Sequence, residues 1–210
     1  MNFDFSDDQE QLRDAVRKWV DKGYSFDRRR AAAKAGGFSR ERFNEMAELG
    51  LCGLYIAEDQ GGLGMGPVEG MVAMEELGRG IVLEPLAQSL MAGAVINGYA
   101  PQTVQAAWLA RIASGEALVV LAHQERAARY RTEVCEATAT QTAAGWTVQA
   151  SKSVVPVGDH AMLFWCPPTS AAAWHCFWWS ARPRGSAPEA MARKTEAAPR
   201  KWSAKAHPPP

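Results

Sequence analysis

A chain of 210 residues is long enough to bury one or two cores, and its 23 basic and 23 acidic side chains cancel, which excludes a nucleic-acid footprint or a polyanionic surface for the molecule as a whole. That average hides a break, because residues 1–161 hold 16 Lys/Arg against 21 Asp/Glu, a balance of −5, whereas residues 162–210 hold 7 against 2, a balance of +5. The acidic start (Asp4, Asp7, Asp8) is unlike a secretory signal, and the longest aliphatic run, residues 117–122, is far short of the roughly 20 residues of a membrane-spanning helix. Cys52, Cys135, Cys166 and Cys176 lie far apart without two-residue spacing. A soluble, cytoplasmic protein with no metal knuckle, nucleic-acid site or membrane contact is expected.

In chain order, Ser6 and Gln9 form a capping box, and Leu12, Ala15, Val16, Trp19 and Val20 recur on one face, which predicts a helix from about Asp7 to Gly23. Ser39 caps a short helix carrying Phe43, Met46 and Ala47 and closed by Gly50. Pro67 opens a third, with Val68, Met71, Val72 and Leu77 as its stripe and Gly78 at its end. Two more are expected at 89–99 and 101–114, so residues 1–115 read as an all-α bundle.

After Gly115 the texture changes. Residues 117–122 are a β-prone run, and Trp146, Val148, Val154, Val155 and Val157 lie among Thr, Ser and Gly, so a β-domain begins here, with 126–131 as a charged loop. From Met162 onward there are five of eight Trp, eight of twelve Pro and no sustained period, which predicts a mostly disordered tail over 162–210.

Three stretches carry a resemblance: Ala47 to Leu54 (AELGLCGL), Glu58 to Gly64 (EDQGGLG) and Glu75 to Gly80 (EELGRG). Their order and spacing resemble the N-terminal domain of acyl-CoA dehydrogenases, and Gly145 to Lys152 resembles the strands leading into the flavin-facing part of that family's middle domain. The resemblance covers about residues 3–161. It implies an α+β fold in which the helical bundle is followed by an incomplete antiparallel β-barrel-like domain at 116–161. It further implies FAD, α,β-dehydrogenation of an acyl-CoA thioester in lipid or steroid side-chain catabolism such as fatty acid β-oxidation, electron-transfer flavoprotein as a partner, and homo- or hetero-oligomers. In the family a carboxylate removes the α-proton while hydride leaves for the flavin.

Departures matter as much as matches. The family's Thr-Glu-Pro…Gly-Ser-Asp segment corresponds to residues 121–126, where only Glu125 matches, and its Trp-Ile-Thr motif corresponds to Val154, Val155 and Pro156. The resemblance therefore puts Leu121, His123, Gln124, Val154 and Pro156 at the cofactor, through backbone contacts, and assigns neither a catalytic residue nor a metal ligand. Ala57 stands where a Pro is usual. Such degraded sites occur in paired, unequal subunits, which makes a non-catalytic acyl-CoA-binding or docking subunit the alternative.

The tail's codons are restricted by its Trp, Met, Cys, Phe and His residues. Shifted by one base, 164–166 and 174–180 spell an apolar strand ending in Glu or Val, so 162–210 reads as frameshifted sequence and the chain as an inactive fragment lacking the family's C-terminal bundle and its base. Other features take plainer readings. The glycines of 61–66 lack P-loop or G-x-G-x-x-G spacing and read as a turn near the substrate slot. His123 is a polar residue at a strand end, Glu75 and Glu76 are surface or inter-domain charges with Arg79 as a partner, and His175 with Cys166 and Cys176 supplies too few metal ligands.

Overall fold

The computed structural model describes residues 4–131, 134–142, 145–150, 152–157, 162–165, 177–180 and 202–206. The chain divides into two compact units, residues 1–117 and 118–210.

The first unit consists of helices joined by turns, with no strand among its described residues. Helix α1 (Asp7–Gly23) starts where Ser6 Oγ accepts from the Gln9 N–H and Gln9 Oε1 accepts from the Ser6 N–H, and it buries Val16 and Val20. Helix α3 (Arg40–Glu48) is capped by Ser39 and buries Phe43, Met46 and Ala47, and Gly50 follows with φ 79°, a conformation open to a residue without Cβ. Between them lies α2 (Phe26–Lys34), capped by Ser25 and burying no residue. It escaped the sequence reading because three arginines and an alanine run present no apolar stripe. Helices α4 (Pro67–Arg79), α5 (Leu86–Tyr99) and α6 (Gln102–Ala113) complete the unit. Phe43, Met46, Leu51, Leu54, Ile56, Val72, Leu86, Ile96, Leu109 and Ile112 form its fully buried centre, each side chain worth about 1.5–3 kcal/mol in burial.

Polar clamps fasten α1 to α4. Arg17 Nη2 donates to Glu76 Oε1 at 2.7 Å, Arg79 reaches Glu76 Oε2 and Asp21 at 2.8 Å each, and Gln9 donates to Glu69 Oε1 at 2.8 Å. Glu76 is 3% exposed, so the expectation of a surface or inter-domain charge is corrected. The second glutamate of the pair faces α1, while Glu75 stays outside and reaches Arg13 at 3.7 Å. Adjacent helical positions diverge by about 100°, which sends one inward and one outward.

In the second unit, β1 (Val119–Leu121), β4 (Met162–Trp165) and β5 (Phe177–Ser180) form one three-stranded sheet, and β2 (Thr138–Thr142), β3 (Gly145–Ala150) and β6 (Trp202–Ala206) form another. The β1–β4 pairing is parallel, Val119 opposite Met162, and the rest are antiparallel. An all-antiparallel arrangement was expected. The long stretch between β1 and β4 gives the chain room for the crossover that a parallel pair requires. Strands β4, β5 and β6 are the described parts of 162–210, where aromatic clusters such as Phe177-Trp178-Trp179 favour pleated backbone even without alternation; the rest of the stretch expected to be disordered lies outside the described residues. The frameshift reading concerns the gene, and His175, Cys166 and Cys176 lie outside the described residues. Val154, Val155 and Val157 are not in a strand: 152–157 is a coil and turn in which Val154 has φ 52° and Val157 φ 44°. Among the described residues no helix is long and apolar enough to cross a membrane.

Candidate functional site

The glycine-punctuated segment of the first unit is a self-contained turn. Gly62, Leu63, Gly64 and Met65 donate their N–H groups to the carbonyls of Ala57, Gly53, Ile56 and Leu54 at 2.7–3.0 Å. With those donors spent inside the turn, they are not offered to a phosphate, whose cradle requires free N–H groups. A Cβ at Gly62 would collide with the Ile56 carbonyl, so the backbone approach itself demands glycine. Cys52, beside this turn, is buried, and burial pushes its thiol up to about 12.

Beyond the turn, Tyr55, Pro67, Gly70, Met71, Met74, Ala87, Leu90 and Met91 line a groove of about 310 Å³ between α4 and α5. Met71, Met74 and Met91 are exposed along it.

The positions assigned to the cofactor lie in the second unit. Leu121 ends β1 and is half-buried, His123 and Gln124 follow it and are exposed, Val154 is 75% exposed, and Pro156 is half-buried. The Ser153 N–H donates to the Gln124 carbonyl at 2.9 Å, which joins the end of 121–124 to the start of 153–156. A β-branched residue with positive φ is a rare conformation, and such strain is found preferentially at ligand clamps. His123 stands just past its strand, as a polar strand-end residue does.

Next to these positions is a group the sequence reading left without a role. Lys152 Nζ reaches Glu125 Oε1 at 2.6 Å, with side-chain exposures of 3% and 4%. Glu125 also accepts from the N–H groups of Glu136 (2.6 Å, on Oε2) and Ala137 (3.3 Å), and from the Cys135 thiol at 3.4 Å. Burial works against its charge, but the Lys152 ion pair and the Glu136 N–H outweigh it, and the carboxyl sits below its ordinary value. Burial pushes the Cys135 thiol up despite the Lys152 charge. The available signal was one acid, Glu125, just past an apolar strand and one lysine, Lys152, before another apolar run; what the sequence does not convey is that the two meet. Among the described residues no group of His, Cys, Asp or Glu could hold a metal.

A family profile described as acyl-CoA dehydrogenase, N-terminal domain, matches residues 6–116. Benzylmalonyl-CoA dehydrogenase of Aromatoleum aromaticum is 26% identical over 170 residues, covering 78% of this chain and 45% of that protein. Among solved structures, butyryl-CoA dehydrogenase from Megasphaera elsdenii superposes with a TM-score of 0.73 at 19% identity, covering 86% of this chain and 50% of that one. A chain of the ChsE4–ChsE5 complex from Mycobacterium tuberculosis does so with a TM-score of 0.72 at 19% identity, covering 85% and 48%. The chain thus spans about half the length of the relatives it matches, and the structural likenesses speak for the fold alone. The profile takes in all six helices and the glycine turn between α3 and α4, and on that match the chain belongs to the acyl-CoA dehydrogenase family.

Proposed function

We propose that this chain is an acyl-CoA dehydrogenase-like oxidoreductase polypeptide whose second unit, an incomplete barrel-like middle domain, presents Leu121, His123, Gln124, Val154 and Pro156 to FAD. The observation that carries this reading is the Ser153–Gln124 hydrogen bond, which joins the two segments next to the exposed His123 and Val154. They suit a flat ring through main chain and apolar edge, because no hydroxyl or indole stands at 121–124 or 154–156. Bound FAD would supply the acceptor for the hydride that leaves the β-carbon of an acyl-CoA thioester, of the kind met in lipid or steroid side-chain catabolism. Electron-transfer flavoprotein is the fitting redox partner.

Glu125, which directly follows Gln124 of the proposed ring-facing edge, is an unsuitable general base. Its oxygens are taken by Lys152, the Glu136 and Ala137 N–H groups and Cys135, and a base needs a free lone pair within reach of the α-proton. The chain by itself is therefore inactive in this reading. An assay with acyl-CoA thioesters of several lengths and an artificial electron acceptor tests it: no turnover by the purified chain is expected, and turnover would overturn the inactivity.

A second reading, a non-catalytic acyl-CoA-binding or docking subunit of a heteromeric dehydrogenase, is favoured by the exposed Met71, Met74 and Met91 along the α4–α5 groove. Flexible methionines suit an apolar partner surface. Co-purification with a partner dehydrogenase, lost in Met71→Glu, would support it.

A further inference from the structure

We propose that the buried Glu125–Lys152 ion pair is a positioning latch that sets residues 121–124 against 153–156 and so fixes the geometry of the flavin-facing edge; its bearing on flavin rests on the reading just given. Glu125 directly follows Gln124 and Lys152 directly precedes Ser153. The 2.6 Å ion pair and the 2.9 Å Ser153–Gln124 hydrogen bond are thus neighbouring rungs across the same two segments. A third segment is tied in, since the Glu136 and Ala137 N–H groups donate to the same carboxylate.

Burying two charges is unfavourable unless partners satisfy them. Here the carboxylate has four donors and the pair is almost wholly enclosed, which is the circumstance in which an ion pair specifies position. A hydrophobic pair would fill the space without directing which residues oppose each other. No hydroxyl or indole stands at 121–124 or 154–156, so in that reading recognition falls on main-chain placement, and the latch controls that placement.

The test uses the full chain and two readouts. Hydrogen exchange of the flavin-free chain is compared for wild type, Lys152→Arg, and the double variant Glu125→Gln/Lys152→Met, which removes both charges while the side-chain amide oxygen at position 125 still accepts one of the two backbone N–H groups. The latch predicts that exchange at Ser153 and its neighbours accelerates at least about tenfold in the double variant, that helices α1 to α6 exchange as before, and that Lys152→Arg retains protection. FAD affinity should fall at least about tenfold in the double variant while its melting midpoint stays within a few degrees of wild type. Unchanged exchange at Ser153 would overturn the proposal. So would exchange rising uniformly over 118–157, which would make the pair a general stabiliser. If wild type holds no FAD, the functional reading fails while the exchange readout still decides the latch.

Discussion

Arg17 of α1 and Glu76 of α4 are joined by two hydrogen bonds to the same carboxylate oxygen, 3.2 Å from Nε and 2.7 Å from Nη2, and Arg79 holds the other oxygen at 2.8 Å. The Arg17 hydrogen bond, opposed by burial and assisted by Arg79, keeps the Glu76 carboxyl below its ordinary value. A carboxyl depressed by folding stabilises the native state above its unfolded value near pH 4.3, and that contribution disappears as pH falls through the folded value. Acid unfolding of the helical unit should therefore steepen below about pH 4.3 in wild type, and Glu76→Gln should flatten that limb and lower stability at pH 7 by about 1–3 kcal/mol. Thermal melts between pH 3 and 7 check this, and identical pH profiles would contradict it.

Two glycines of the first unit should respond to alanine with opposite signs. At Gly62 the new Cβ meets the Ile56 carbonyl and side chain, whereas at Gly78, inside α4, it meets nothing within 4 Å. Gly62→Ala should destabilise by more than about 1 kcal/mol, and Gly78→Ala should stabilise by up to about 1 kcal/mol. Chemical denaturation of both variants gives the two signs.

Tyr24 is a buried hinge of hydrogen bonding. Its hydroxyl donates to Glu84 Oε2 at 2.7 Å and accepts from the Leu83 N–H at 2.9 Å. Burial and the neighbouring Glu84 together raise the phenol's titration well above its ordinary range, with the Leu83 N–H opposing. Tyr24→Phe preserves the ring and leaves the Glu84 carboxylate and the Leu83 N–H unpartnered, an expected loss of about 1–3 kcal/mol. A midpoint unchanged within error would mean that water replaces the hydroxyl.

Local signals were legible and distant pairings were not. The Ser6 and Ser39 caps and the Gly50 stop announced α1 and α3 because a cap is made by residues three or four apart. Helix α2 was silent because it buries nothing, and periodicity reports burial. The inward turn of Glu76 and the Lys152–Glu125 pair depend on which elements meet, 59 and 27 residues apart, and no single stretch encodes that. The parallel β1–β4 pairing was missed for the same reason. The positions assigned to the cofactor came from resemblance to a family. Their own residue types, Leu121, His123, Gln124, Val154 and Pro156, carry no chemical signature of a ring site.

Retention of FAD by the full chain through gel filtration is the most direct measurement. Wild type should carry flavin absorbance in the protein peak, and Val154→Asp, which puts a charge on the exposed edge, should lose it while melting within a few degrees of wild type. A protein peak without flavin in wild type, or equal retention by Val154→Asp, would contradict a flavin-binding edge formed by 121–124 and 153–156.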